Sequence, residues 1–321
     1  MKRLIPLLLL TLVVIIPSFA KADGFSQWLT DFERDALSQG ISQDTLDDAF
    51  AETQPLDRVL ELDRKQPEST LTLDEYLDNV LTPKRIKEGR KFYAENRSLL
   101  KKIGAKYGVQ PRFIVALWGI ETNYGRNIGG FSTINSLATL AYDGRRSEFF
   151  RGELINALKI LQNEHMDAAD MKGSWAGALG QCQFMPSTFL KYAVDYNHSG
   201  THDIWDNKAD VFASIANYLK SLGWNANEGW GRPIKLPTGF DTSLADIKME
   251  KTLSEWKTLG VRTADGKALP AGRTKASVIM VGEKEDAAPY IIYGNYKALL
   301  QWNRSRFFAT AVGTLADKIG K

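Results

Sequence analysis

FIVALWGIETNYG, residues 113–125, is apolar on nearly every side as far as Ile120 and then carries a carboxylate. Phe113, Ile114, Val115, Ala116, Leu117, Trp118 and Ile120 describe a helix buried all round rather than one lying on a surface. Pro111 suits its first turn, and Gly125 suits a left-handed stop after Asn123 and Tyr124. Glu121 falls in the last turn, with Leu117 and Trp118 on its face. Apolar neighbours and the negative end of the helix dipole both oppose its ionisation there. A carboxylic acid kept neutral near physiological pH can serve as a general acid. The alternative at this stage is a frayed helix end with Glu121 in solvent.

Outward toward the N-terminus, Ile86 to Tyr107 forms a basic amphipathic helical stretch closed by Gly108, its Lys and Arg making a solvated face. Leu71 to Leu81 is a further helix, stopped by Thr82-Pro83. From Asp23 to about Glu68, apolar residues recur at helical spacing, as in Phe25, Trp28, Leu29 and Phe32. Residues 1–22 read as a signal peptide. Lys2 and Arg3 precede an apolar run from Leu4 to Phe19, and Ala20-Lys21-Ala22 matches a small-x-small cleavage site. An uncleaved anchor is the rival, disfavoured by Pro6, Pro17 and a short run. The chain's single cysteine, Cys182, excludes intramolecular disulfides and puts no lipid-bearing cysteine after the signal. The expectation is a soluble exported protein. The full chain has 41 Lys and Arg against 38 Asp and Glu, and setting aside Lys2, Arg3 and Lys21 leaves 38 of each. A formally neutral mature chain argues against nucleic acid as a partner.

Outward toward the C-terminus, Thr133 to Tyr142 and Glu148 to Met166 have helical spacing. GSWAGALGQCQFMPS, residues 173–187, then packs glycines among aromatic, amide and hydroxyl residues, the texture of a polar groove wall. Asp195 to Asp210 places oxygen-bearing side chains at the first, third, fifth and ninth positions of an EF-hand calcium loop, with Gly200 at the sixth. Ser199 stands at the fifth position and Asp206 at the twelfth, so the choice is a weak calcium site or a hydrogen-bonded Asx-rich loop. Val211 to Trp224 is helical. Residues 225–289 change texture, with short strands expected at Pro233–Leu236 and Ser277–Val281 and a small helix at Leu253–Leu259. Tyr296 to Ile319 returns to helical spacing.

Together WGIETNYGR from Trp118, GSWAGALGQCQFMPS from Gly173, the loop with its DIWD ending, SIANYL from Ser214 and WNRS from Trp302 resemble the exported B-type lytic murein transglycosylases, glycoside hydrolase family 103, over essentially the whole mature chain. The resemblance implies a mainly α fold: a lysozyme-like catalytic core with a helical domain and a small inserted β-containing domain. On this sequence the divisions are 23–108 for the N-terminal helical domain, 109–224 for the core with its loop at 195–210, 225–293 for the small α+β module, and 294–321 for C-terminal helices returning onto the helical domain. It also implies cleavage of the MurNAc–GlcNAc bond of peptidoglycan without water, leaving 1,6-anhydromuramic ends, in the periplasm and with no catalytic cofactor. Peptidoglycan strands are the implied partner, with cell-wall synthesis or hydrolysis complexes as candidate associates.

Carried over residue by residue, the resemblance makes Glu121 the single acid and base. Ser174 and Gln183 line the site, Tyr218 lies near the developing positive charge, Tyr76 reaches in from the N-terminal domain, Phe184 forms sugar-binding wall and Asn303 belongs to the C-terminal part of the groove. Asp195, Asn197, Ser199, Thr201 and Asp210 are the implied weak calcium ligands. Trp302 and Phe308 stand where the family pattern has tyrosines, which removes two hydroxyls. Tyr76 and Tyr218 also suit a core. Cys182 beside Gln183 invites a nucleophile reading, but His165, His198 and His202 have no cysteine-enzyme context and no zinc spacing. Two rivals stay open: a muramidase using Asp143, Glu148 or Asp170 as a second carboxylate, and a binding protein that has lost turnover.

Overall fold

The computed structural model describes residues 19–65, 71–283 and 286–320. The signal-peptide reading therefore falls almost wholly outside the described residues.

The helix read from residues 113–125 is α7 in chain order, Pro111–Thr122, and it is the axle of the molecule. Before it come α1 (Phe19–Ser38), α2 (Gln43–Phe50), α3 (Asp57–Arg64), α4 (Leu73–Val80), α5 (Pro83–Glu95) and α6 (Arg97–Tyr107). After it come β1 (Phe131–Ser132), α8 (Thr133–Tyr142), α9 (Ser147–Glu164), β2 (Lys172–Gly173), α10 (Pro186–Tyr192) and α11 (Lys208–Ser221). Helices α5, α6 and α11 pack around α7, and so does α14 (Arg306–Ile319) from the far end of the chain. Phe113 to Gly119 and Thr122 are consequently all buried. An all-round apolar sequence has found an all-round apolar environment.

The basic stretch 86–107 is two helices rather than one. At Asn96 the backbone leaves helical geometry, and the side-chain amide donates to the Phe92 carbonyl at 2.8 Å. No glycine or proline marks that break. The C-terminal stretch is likewise divided, into α13 (Gly294–Trp302) and α14, because Ser305 caps α14 by accepting from Phe308 N.

The small β-containing part is a five-stranded antiparallel sheet in the order β4-β6-β7-β3-β5. Its strands are β3 (Gly231–Lys235), β4 (Glu250–Thr252), β5 (Arg262–Thr263), β6 (Lys275–Val281) and β7 (Ala288–Ile292), with α12 (Leu253–Thr258) after β4. Side chains alternate across a strand, and here both faces are buried, against different cores. Ala276, Val278 and Ile291 join Trp256, Leu253 and Val261 in a core of the sheet's own. Ile279, Val281, Tyr290 and Ile292 join the main helical core. The sheet is thus seated on the helices through every second residue of its two central strands, and β7 runs directly into α13.

Candidate active site

Helix α7 ends in an uncommon way. Asn123, Tyr124 and Gly125 all have left-handed backbone, with φ of 50°, 60° and 80°. The left-handed turn expected at Gly125 therefore begins two residues earlier, and a tyrosine adopts it at a cost of about 1–2 kcal/mol. Packing offsets that cost. Tyr124 folds back over α7 into contact with Phe92 and Trp118, and its hydroxyl donates to the Arg85 carbonyl at 2.8 Å. Glycines at 89 and 119 make the approach feasible: a Cβ on Gly119 would lie 2.5 Å from the Tyr124 ring, and one on Gly89 would lie 2.5 Å from its hydroxyl.

The glycine-rich segment is fastened to this helix end by Gln181. Trp118 Nε1 donates to Gln181 Oε1 at 2.7 Å, and Thr122 Oγ1 donates to the Gln181 carbonyl at 3.1 Å. Gln181 Nε2 donates to the Trp205 carbonyl, and its backbone N–H to that of Ile204 at 2.8 Å. Four such bonds on one buried residue lock the segment's register, since each would otherwise leave a buried polar group unpaired.

Glu121 lies between these supports, part-buried in the penultimate position of α7. Burial raises its carboxyl from the ordinary value of 4.5 to about 7. One opposing influence was not legible in the sequence: Trp302 Nε1, at the end of α13, donates to Glu121 Oε1 at 2.7 Å and favours the charged form. The loss of a tyrosine hydroxyl expected at Trp302 thus does not remove the donor; the indole N–H supplies one. The signal available beforehand was only the residue's identity as an aromatic with a single N–H.

The other expected residues separate into two groups. Tyr76 in α4 packs on Phe307, and burial, aided by the Glu121 charge, raises its phenol. Tyr218 stacks on Tyr192 at 4.5 Å and meets Trp302 at 5.0 Å between ring centres. Ser174 Oγ accepts from Ala178 N at 3.0 Å and Ala176 N at 3.3 Å, which leaves its hydroxyl hydrogen free to donate. Gln183 has φ of 51°, and its amide nitrogen donates to the carbonyls of Gly180 at 2.9 Å and Ile128 at 3.1 Å, leaving Oε1 to accept. Phe184 departs from expectation in its depth. Phe184 is only 2 % exposed, behind Tyr218 and Trp302, so it supports the wall without forming its surface. Asn303 is exposed, and its Oδ1 is engaged in the turn between α13 and α14, accepting from Ser305 N at 3.0 Å. Phe308 is buried in the main core.

The candidate second carboxylates have other settings. Asp143 pairs with Arg64 at 2.8 Å, Glu148 is exposed in the first turn of α9, and Asp170 lines a cleft of ≈ 640 Å³ with Ile128, Glu164, His202 and Trp205. Among the described residues no other carboxylate contributes to the Glu121 shift. Cys182 is fully buried, its thiol aimed at the Val211 carbonyl at 3.6 Å, and burial with the nearby Glu121 charge pushes it well up. That is the environment of an inert thiol. His202 pairs with Glu164 at 2.9 Å.

The first turn of the loop at 195–210 is closed by its own hydrogen bonds, while Ile204 and Trp205 are held by Gln181 and His202 by Glu164. Asp195 accepts from Ser199 N at 3.0 Å and Gly200 N at 2.8 Å, and Asn197 accepts from Ser199 N at 3.2 Å. Ser199 Oγ reaches the Thr201 carbonyl at 3.3 Å. Asp210 is buried and accepts from Tyr196 N at 2.8 Å and Asp203 N at 3.1 Å. Calcium takes roughly six to eight oxygens, and here the carboxylates, amide and hydroxyls keep lone pairs for it while supplying fewer full charges than an EF-hand loop, which suits a weak site. No cluster of three or more His, Cys, Asp or Glu side chains suited to a metal occurs among the described residues.

The family described as Transglycosylase SLT domain matches residues 24–317. The chain belongs to that family. It is 30% identical over 297 residues to membrane-bound lytic murein transglycosylase B of Escherichia coli, covering 87% of this chain and 79% of that protein. The crystal structure of SltB3 from Pseudomonas aeruginosa in complex with NAG-anhNAM-pentapeptide superposes with a TM-score of 0.88 at 44% identity, over 92% of this chain and 79% of that one. The Escherichia coli lytic transglycosylase SLT35 in complex with calcium gives 0.76 at 28% identity, over 94% of each chain. The chain is therefore a lytic transglycosylase of the B type, with a lysozyme-like, mainly α fold carrying a small β sheet.

Proposed function

We propose that this transglycosylase cleaves the MurNAc-β-1,4-GlcNAc bond of peptidoglycan in cell-wall turnover, with Glu121 as its single acid and base. The observation that carries the reading is a carboxyl raised to about 7 by burial, with no second carboxylate acting on it among the described residues. Hydrolases of either stereochemistry ordinarily pair two carboxylates roughly 5–9.5 Å apart across the sugar. One carboxyl suffices when the substrate supplies its own nucleophile. Neutral Glu121 protonates the glycosidic oxygen as the C1–O bond breaks, the leaving oxygen taking the bonding pair. The ionised carboxylate then accepts the proton of the muramic 6-hydroxyl as that oxygen bonds to C1, and the original acid is restored without water being consumed.

In this proposal Ser174, through its free hydroxyl hydrogen, and Gln183, through Oε1, hold substrate beside the acid. Tyr218 and Tyr76 flank the reacting sugar. The loop at 195–210 takes calcium weakly. Residues 23–108, 109–224, 225–293 and 294–321 serve as helical domain, core, module and returning helices. The leader-like residues 1–22 support a periplasmic location, and no helix of the described residues is long and apolar enough to cross a membrane. SltB3 has been crystallised with a NAG-NAM-pentapeptide, which supports a glycan strand bearing peptide as substrate here and leaves wall-synthesis complexes as candidate company.

The test is digestion of purified peptidoglycan by the mature protein and mass analysis of the muropeptides. Products one water lighter than reducing-end products, absent with Glu121→Gln, support the proposal. Reducing-end products make the protein a muramidase. Binding without any product makes it a binding protein.

A further inference from the structure

Trp302 is out of place as a purely structural tryptophan. It is part-exposed at the last position of α13, and its single polar atom is spent on a carboxylate 181 residues away in sequence. Its ring is fixed on two sides, 5.0 Å from Tyr218 and 5.5 Å from Phe184, while Tyr218 is itself stacked on Tyr192. The turn after it is set by Asn303 and Ser305, and the start of α13 is set by β7, two residues before Gly294. The indole therefore approaches Glu121 from a frame that cannot easily follow the carboxylate if it moves.

The chemistry of the donor matters as much as its position. An indole N–H donates and cannot accept, whereas a tyrosine hydroxyl can do either and can turn. An oxygen held at 2.7 Å by an N–H cannot also carry the acidic proton pointing at that donor. We propose that Trp302 is a positioning residue for the acid, reserving Oε1 as hydrogen-bond acceptor so that the transferable proton resides on Oε2. This inference rests on the transglycosylase reading, in which one carboxyl must first give and then take a proton at the same place. Delivery and recovery then both occur at Oε2, and the carboxylate formed between them keeps its N–H partner on Oε1.

The surrounding titratable groups leave the neutral range to Glu121. Tyr76 from α4, Tyr218 from α11 and Cys182 from the glycine-rich segment are all shifted upward, each mainly by burial. Arg85 from α5 lies beside Tyr76 as a fixed positive charge.

Trp302→Phe keeps an aromatic ring but removes the N–H together with the five-membered part of the indole, and Trp302→Tyr offers a donor of different reach. Two readouts are compared with wild type: the pH profile of anhydro-product release, and the titration of the Glu121 carboxyl in carbon-13-labelled protein without substrate. In Trp302→Phe the expected result is kcat lower by about tenfold with KM within about twofold. The alkaline limb of the profile and the carboxyl midpoint should both move up by about one pH unit, with partial return in Trp302→Tyr. A slower enzyme whose limb and midpoint stay at the wild-type values would overturn the proposal, leaving Trp302 a packing residue. If wild type gave reducing-end products, the transglycosylase reading would fall. An unmoved midpoint in Trp302→Phe would still overturn the role of Trp302 separately, and Trp302→Leu, which also has no donor, supplies that titration should Trp302→Phe not fold.

Discussion

The end of α7 and the loop at 195–210 both gather polar side chains around a turn, yet they are built in opposite ways. In the loop, Asp195, Asn197 and Ser199 are satisfied by groups two to five residues away, and Asp210 by groups seven and fourteen away. At Glu121 the partners come from 181 residues away in α13, and Trp118 beside it is held by Gln181, 63 residues on. Local bonds close the turn around Ser199 and Gly200, and only the later part of the loop, at His202, Ile204 and Trp205, is tied to distant residues. Distant partners make a site whose acid can be desolvated by the whole fold and adjusted by one N–H. The same polar residue types thus give a closed structure in one place and reactive chemistry in the other.

The largest test of this contrast is Glu121→Gln, which should lower peptidoglycan cleavage by roughly three orders of magnitude or more while a pull-down on insoluble peptidoglycan retains binding. Next comes Gln181→Leu. Removing an amide that serves Trp118 and Trp205 strands two buried groups, and the expected loss is about 2–4 kcal/mol in chemical unfolding. Asp195→Asn, in the locally built loop, should cost about 1 kcal/mol or less by the same measurement.

The pH dependence of stability separates the two regions further. Folding raises the Glu121 carboxyl from 4.5 to about 7, so the folded state holds the proton more tightly than the unfolded one. Its contribution is fully present below about pH 4.5 and declines as pH rises through about 7, above which a buried charge remains. Glu121→Gln should therefore raise the melting temperature relative to wild type at pH 8, with the advantage shrinking toward pH 5. The smallest effect is calcium. With a dissociation constant near 1 mM, 1 mM calcium would stabilise by only about 0.4 kcal/mol, and the melting temperature should move by roughly 1 °C. A much larger rise would show that the loop rearranges to offer its oxygens inward.

The same local-versus-distant division explains what the sequence revealed. The α7 run, the glycine-rich segment and the Asx-rich loop were legible because their patterns are contiguous. Strands at 231–235 and 275–281 were legible for the same reason. Strand β7 was hidden by Pro289, since proline argues against an interior strand, yet here it sits near the strand's start, opposite Met280 of β6 and before the pairing with β3 begins at Tyr290. The break at Asn96 was hidden because a side-chain amide, not a glycine or proline, ends the helix. Phe184 looked like groove wall because its depth depends on Tyr218 and Trp302, which lie over it from other elements. The bond from Trp302 to Glu121 had no local signature at all.

The most direct test of a single-carboxyl mechanism is digestion of glycan strands in oxygen-18-labelled water. If the muramic 6-hydroxyl is the nucleophile, the new 1,6-anhydro ends carry no label, and the yield falls on the alkaline side with a midpoint near the Glu121 value of about 7. One labelled oxygen at each new end would contradict the account, because it would make water the nucleophile and require a second catalytic group that activates it.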